Sequence, residues 1–163
     1  MDVLILAGGK CPETLRVATG VEYRALLPIG GRPMVATVIE ALQHLGQLIV
    51  VGQSAGLPVR SVPDGDSFVA SLRAGLEAVT TDRFLMSTAD LPFLSREAVD
   101  DFISRADSTA HLNYPVLRAA DCEKEYPGMK RTTLKFREGE FTGGNLLLAD
   151  TAAMRSLLPQ IDQ

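Results

Sequence analysis

The sequence predicts an α/β fold built on a mixed, mostly parallel sheet, and three observations predict it. Apolar runs at 3–6, 48–51 and 84–87 have strand length and the Val, Ile and Leu content of strands buried on both faces. Amphipathic helical patterns separate these runs, and strand, helix, strand alternation implies parallel neighbours. The first run passes directly into Ala7-Gly8-Gly9. Glycines there let backbone N–H groups approach an anion, because no Cβ holds it away.

The remaining elements follow in order. Residues 10–16 have no clear pattern and read as a loop of the kind that forms mobile lids. Arg24-Ala-Leu-Leu-Pro28-Ile-Gly30-Gly31-Arg-Pro33-Met34 then places a cation, a Gly-Gly turn, and Pro33 in the first turn of a helix, where its missing N–H costs nothing. In that helix, 33–45, the residues Val35, Val38, Ile39, Leu42 and Leu45 recur at three and four. Phe68, Val69, Leu72, Leu76 and Val79 give the next helix a similar apolar face. A third helix starts at Ser95, with Leu94 and Val99 placed as a hydrophobic staple and Val99, Phe102, Ile103 and Ala106 as its buried stripe. Beyond it the chain is richer in strands, expected at 114–118, 132–137 and 141–148 and separated by Pro127-Gly128 and Glu138-Gly139. Asp150 is expected to cap a last helix that Pro159 closes.

Composition limits the function classes. With 163 residues, 46% of them hydrophobic, the chain has material for one domain and its core but not for two. A net charge of −4 argues against a surface that coats nucleic acid, so any phosphate ligand must be held by local groups. No basic leader precedes an apolar stretch and no run approaches the roughly 18 apolar residues of a membrane span, so a cytoplasmic location without membrane attachment is expected. Cys11 and Cys122 are the only cysteines, too few for a disulfide framework or a zinc cluster, and read as free thiols. His44 and His111 are the only histidines and read as structural or surface residues, which leaves serine or cysteine triad chemistry without a base. Gly8-Gly9 lacks the third, spaced glycine of a dinucleotide fingerprint, and no Walker lysine–serine pair is present.

Several side chains sit where phosphate chemistry needs them. Asp90 follows the strand at 84–87, and the carboxyl ends of strands are where open α/β sheets receive ligands. It reads either as a turn residue ahead of Pro92 or as a Mg²⁺ ligand, since Mg²⁺ commonly takes one or two carboxylates and completes its octahedron with water and phosphate. Asn145, after Gly143-Gly144, reads by itself as a bulge residue bonding its own backbone. Ser67 in Pro63-Asp64-Gly65-Asp66-Ser67 reads by itself as a helix cap, and Asp64 could accept from the amino group of a base such as guanine or cytosine. Lys130, Arg131, Lys135 and Arg137 form the densest basic cluster, either protected strand edges or a patch that steers a phosphorylated small molecule.

Leu6-Ala-Gly-Gly9, the run from Arg24 to Met34, Thr88-Ala-Asp-Leu-Pro92 and Thr142-Gly-Gly-Asn145 resemble, in order and spacing, the MobA-like NTP-transferase family of molybdenum-cofactor guanylyltransferases and relatives of the sugar-1-phosphate nucleotidyltransferases. The resemblance implies a three-layer Rossmann-like fold with helices on both sheet faces, in a single domain 1–163. Its nucleotide half would be 1–106 and its acceptor half 107–163, the latter shorter than relatives usually carry. It implies transfer of an NMP from an NTP, GTP among the donors, to a phosphorylated small-molecule acceptor with Mg²⁺ and release of pyrophosphate. Leu6, Ala7, Gly8, Gly9, Lys10, Arg24, Asp64 and Ser67 would then bind the nucleotide. Lys130, Arg131, Gly144 and Asn145 would bind the acceptor, Arg24 and Asp90 would be catalytic, and Asp90 and Asn145 would hold the metal. Two departures stand out. Arg24 replaces the usual lysine, and Glu13 stands four residues after the second glycine, where relatives carry an arginine; Lys10 or Arg16 could substitute for it if the loop folds differently. A module of the same fold that binds nucleotides without transferring them is the alternative.

Overall fold

The computed structural model describes residues 1–161. In chain order it contains β1 (Asp2–Ala7), α1 (Glu13–Thr19), β2 (Pro28–Ile29), β3 (Arg32–Pro33), α2 (Met34–Leu42), β4 (Leu48–Gly52), β5 (Arg60–Val62), α3 (Phe68–Ala78), β6 (Arg83–Thr88), α4 (Arg96–Arg105), β7 (Leu112–Asn113), β8 (Val116–Arg118), α5 (Ala119–Glu125), β9 (Leu134–Phe136), β10 (Gly139–Gly143), β11 (Leu146–Asp150) and α6 (Thr151–Ile161). Six strands form one sheet in the order β5-β4-β1-β6-β11-β7. The β5, β4, β1 and β6 neighbours are parallel, and β11 runs antiparallel to both β6 and β7. A second, antiparallel sheet has the order β8-β10-β9.

Alternation along β1 explains the three layers. Val3, Ile5 and Ala7 face one way and pack with Val35, Val38 and Leu42 of α2 and Val99 of α4. Leu4 faces the other way, against Leu72 and Leu76 of α3 and Met154 and Leu158 of α6. Both faces are therefore covered, as continuous apolar strands require. Gly75 lets α3 lie close to the sheet, since a Cβ there would come within 2.8 Å of Val51. Gly30 and Gly31, at φ 57° and 80°, form the two-residue turn of the β2–β3 hairpin, the backbone that favours glycine at both central positions.

Asp2 anchors the amino end of the sheet. It is 3% exposed, and its carboxylate accepts from the Thr80 N–H at 2.6 Å, the Thr80 hydroxyl at 2.9 Å and the Thr81 N–H at 3.2 Å. Burial alone would raise its pKa, but these hydrogen bonds outweigh burial and hold the carboxyl below its ordinary value. A depressed folded-state pKa contributes stability that is complete above the unfolded value, near 4, and is lost as pH falls through the folded value. Asp2→Asn is expected to cost about 2 kcal/mol at pH 7, because all three bonds end on Oδ2 and a neutral amide oxygen accepts them without the carboxylate's charge. Chemical denaturation of both proteins from pH 7 to pH 3 checks this, and the difference should shrink toward the acid end.

Elements without a buried face depart from expectation. The supposed lid is helix α1, entered at Pro12 and ended by Gly20 at φ 71°, with no buried residue. Helix α5 also buries nothing and its composition gave no apolar period. Of the strand expected at 114–118 only β8 forms, and β7, which lies before it, joins the other sheet. The run at 141–148 is two strands, because Asn145 at φ 59° turns the chain from β10 into β11. Pro159 lies inside α6 rather than ending it, its fixed φ being compatible with helix and its neighbour Leu158 anchored in the core. No helix of the described residues is long and apolar enough to cross a membrane.

Candidate active site

The carboxyl ends of β1 and β6 open into a cavity of about 590 Å³. Its wall includes Leu6, Ala7, Gly8, Gly9, Lys10, Arg24, Asp64, Ser67 and Asp90, so the residues read from the sequence as nucleotide-binding share one cavity with the carboxylate read as a metal ligand. Backbone geometry brings them together. The Ala89 N–H donates to the Leu6 carbonyl at 2.9 Å, which ties the exit of β6 to β1 and sets Asp90 beside the glycine turn. The Arg24 N–H donates to the Gly9 carbonyl at 2.9 Å and fixes the other wall.

Three glycines are closely approached by their neighbours. A Cβ on Gly9 would lie 2.7 Å from the Arg24 guanidinium, so the arginine crosses directly over the turn. A Cβ on Gly8 would lie 2.8 Å from the Asp64 Cβ. Gly52, at φ 100°, packs its Cα against the backbone of Ala7 and Gly8, where a Cβ would stand 2.8 Å from the Gly8 nitrogen. The turn is thereby held from β4 on one side and from Asp64 and Arg24 on the other.

The principal electrostatic contact spans the cavity. Arg24 Nη1 lies 2.9 Å from Asp90 Oδ2, with the side chains 46% and 28% exposed. The cation read for phosphate and the carboxylate read for metal are thus paired with each other. Lys10 is paired with Glu22 at 3.2 Å and lies over the Tyr23 ring at 5.9 Å; its hydrogen bond to Glu22 raises its pKa above the usual lysine value. Glu13 stands on α1 near Arg16, 4.0 Å away, and neither residue is in the cavity wall. Of the two basic residues of this segment, Lys10 lines the cavity and Arg16 does not.

Ser67 caps α3, its hydroxyl accepting from the Ala70 N–H at 3.0 Å, and the Gly65 N–H donates to the Ser71 hydroxyl at 3.0 Å. The segment carrying Asp64 is therefore fastened to the first turn of α3. Thr88, Tyr23, Phe68 and Ser71 also line the cavity and were not singled out individually. Thr88 Oγ1 is buried with no hydrogen-bond partner among the described residues, an observation only coordinates supply.

The residues expected to bind an acceptor lie elsewhere. Lys130 and Arg131 line a second cavity of about 800 Å³ between α5 and the β8-β10-β9 sheet. Arg131 donates to the Thr142 hydroxyl at 3.3 Å and the Gly143 carbonyl at 3.1 Å, and so braces the turn leading to β11. The Gly144 N–H donates to the Pro115 carbonyl at 2.9 Å. Asn145 is exposed and stands one residue beyond the Leu146–Ser87 pair, at the same sheet edge as Asp90. Gly144 and Asn145 are in the wall of neither cavity. Both cysteines are free thiols. His44 bonds Asp100 at 2.8 Å and His111 bonds Asp150 at 2.7 Å, away from either cavity wall. No group of three or more His, Cys, Asp or Glu among the described residues is arranged to hold a metal.

The sheet order, the helices on both faces and the glycine turn at the end of β1 define an α/β fold of the nucleotidyltransferase type. The model of the MobA-like NTP transferase domain matches residues 3–160, and the chain belongs to that family. A hypothetical transferase from Thermus thermophilus superposes with a TM-score of 0.84 at 40% identity, over 97% of this chain and 68% of that one. At lower identity the likeness is of fold. A nucleotidyl transferase from Methanothermobacter thermautotroptrophicus gives 0.65 at 22%, over 97% and 74% of the two chains. The 2-C-methyl-D-erythritol 4-phosphate cytidylyltransferase of Thermus thermophilus gives 0.68 at 21%, over 95% and 72%. No curated protein matches the chain.

Proposed function

We propose that this chain is a Mg²⁺-dependent nucleotidyltransferase that moves an NMP from an NTP to a phosphorylated small-molecule acceptor and releases pyrophosphate. The observation that carries the reading is the convergence of the Gly8 and Gly9 amides, the Arg24 guanidinium and the Asp90 carboxylate on one cavity. The N–H groups of the turn donate to phosphate oxygens, and Arg24 offers a planar fork to two more. Asp64 and Ser67 lie toward the nucleoside. Residues 1–106 form the nucleotide side of a single domain and 107–163 its acceptor side, where Lys130 and Arg131 hold the acceptor's anionic group and the Gly144-Asn145 turn links the two. NTP as substrate fits a cytoplasmic location.

The wall fits a hard cation. It offers the Asp90 and Asp64 carboxylates and the unpartnered Thr88 hydroxyl, and no thiol or imidazole. Asp90 would hold Mg²⁺, with Asn145 as a neutral second ligand at the same sheet edge, and the bound ion would neutralise charge gathering on the departing pyrophosphate. The acceptor oxygen is already anionic at neutral pH and needs no base, consistent with a wall free of histidine. As that oxygen bonds to the α-phosphorus, the bond from the α-phosphorus to the bridging oxygen breaks and its electron pair leaves with pyrophosphate. Positioning and charge neutralisation supply the catalysis.

Pyrophosphate release in the presence of Mg²⁺, each of four NTPs and a panel of phosphorylated acceptors tests the proposal, with thermal shifts read in the same samples. Release that requires Mg²⁺, one NTP and one acceptor is the expected result. The Arg24–Asp90 pair is the observation that favours the alternative, a module that binds nucleotide or nucleotide-sugar without transfer. An NTP-dependent shift with no release from any acceptor would support that module and contradict transfer.

A further inference from the structure

We infer that Phe68 is a positioning residue for the nucleotide, its ring forming the surface on which the base stacks; the inference rests on the cavity around Gly8 being a nucleotide site. Helical spacing places Phe68 on the stripe of Leu72 and Leu76, where it should be buried. Leu72 is 4% exposed and Leu76 1%, but Phe68 is 57% exposed and turns instead into the wall of the phosphate cavity.

Phe68 is the first residue of α3, directly after the Ser67 cap. Val69, the next residue, packs against the core, so α3 is not displaced from the sheet. The Ser67 cap and the bond from Gly65 to Ser71 fasten the first turn, and Phe68 projects from a fixed backbone. The other aromatic ring in the wall, Tyr23, has the Lys10 ammonium over it at 5.9 Å, whereas no ring or cation contact is made by Phe68 among the described residues. Around it the wall is polar, with Asp64, Asp66, Ser67 and Ser71. A flat apolar face set among acceptors and hydroxyls, in the same wall as the glycine turn, matches a nucleobase, whose π-face stacks while its edge finds hydrogen bonds. Stacking is tolerant of base identity, so Phe68 contributes affinity for every NTP and leaves discrimination to its polar neighbours.

The chain contains no tryptophan, so Phe68→Trp creates a single fluorescent reporter at the site. Binding of GTP, ATP, CTP and UTP, and of inorganic tripolyphosphate as a probe without a base, is measured by calorimetry for the wild type and Phe68→Ala and by fluorescence for Phe68→Trp. Phe68→Ala is expected to weaken the NTPs by about five- to a hundredfold while leaving tripolyphosphate unchanged, and Phe68→Trp is expected to be quenched by NTPs but not by tripolyphosphate. Unchanged NTP affinity in Phe68→Ala would overturn the inference alone. Failure of the wild type to bind either NTP or tripolyphosphate would overturn the nucleotide reading and this inference with it.

Discussion

Replacing Asp90 by alanine is expected to abolish Mg²⁺-dependent pyrophosphate release, lowering turnover by about a thousandfold or more, while the protein keeps its fold. The size of the effect follows from the role proposed. A single carboxylate that positions a divalent ion in the cavity controls several kcal/mol of charge stabilisation, and neither Asp64 nor Asn145 occupies the same point at the exit of β6. The small cost in stability follows from the surroundings. Asp90 is partly exposed, and its partner Arg24 is more so. Exposed pairs contribute at most about 1 kcal/mol, because water screens them. The thermal midpoint should therefore barely move, and circular dichroism together with the release assay separates the two effects. Turnover equal to wild type would remove Asp90 from the chemistry.

Arg24→Ala is expected to be nearly as damaging, by about a hundred- to a thousandfold in kcat/KM, with much of the loss in NTP affinity. Two consequences of the geometry act in opposite directions. The phosphates lose their planar fork, and Asp90 loses the cation that holds it at 2.9 Å when no nucleotide is present. A metal ion alone should then bind Arg24→Ala more tightly than it binds the wild type, although NTP binds more weakly. Arg24→Lys keeps the charge without the fork and should recover part of the turnover. Calorimetric titration of Mn²⁺ with and without NTP checks the reciprocal behaviour, since coupling between two ligands must be symmetric in free energy. Identical Mn²⁺ affinity in the wild type and Arg24→Ala would show that the pair does not restrain Asp90 in solution.

The parts of the fold legible in the sequence are those that bury apolar surface. The strands at 3–6, 48–51 and 84–87 were visible because a parallel strand covered on both faces is apolar throughout, and α2, α3 and α4 because one face of each meets the sheet. Helices α1 and α5 bury nothing, so no period marks them. The break between β10 and β11 rests on the left-handed backbone of Asn145, inside a stretch that otherwise reads as one strand. At the cavity, Gly8, Gly9 and Asp90 were legible as residues just after predicted strands, and Arg24 as the cation ahead of the Gly30-Gly31 turn. Their mutual pairing was not, because Arg24 and Asp90 meet only through the β1–β6 alignment and the Arg24 to Gly9 hydrogen bond. Phe68 was misplaced for the opposite reason, its spacing being right for the core and its side chain turned away from it.

The central claim is that one nucleotide's phosphates lie between the amides after β1 and the carboxylate at position 90. A crystal structure of the protein with Mg²⁺ and a non-hydrolysable NTP tests it most directly. The account predicts triphosphate oxygens on the Gly8 and Gly9 N–H groups, Arg24 moved from Asp90 onto phosphate, and the metal on Asp90. Nucleotide seated instead in the cavity of Lys130 and Arg131, with the Arg24–Asp90 pair intact, would contradict it.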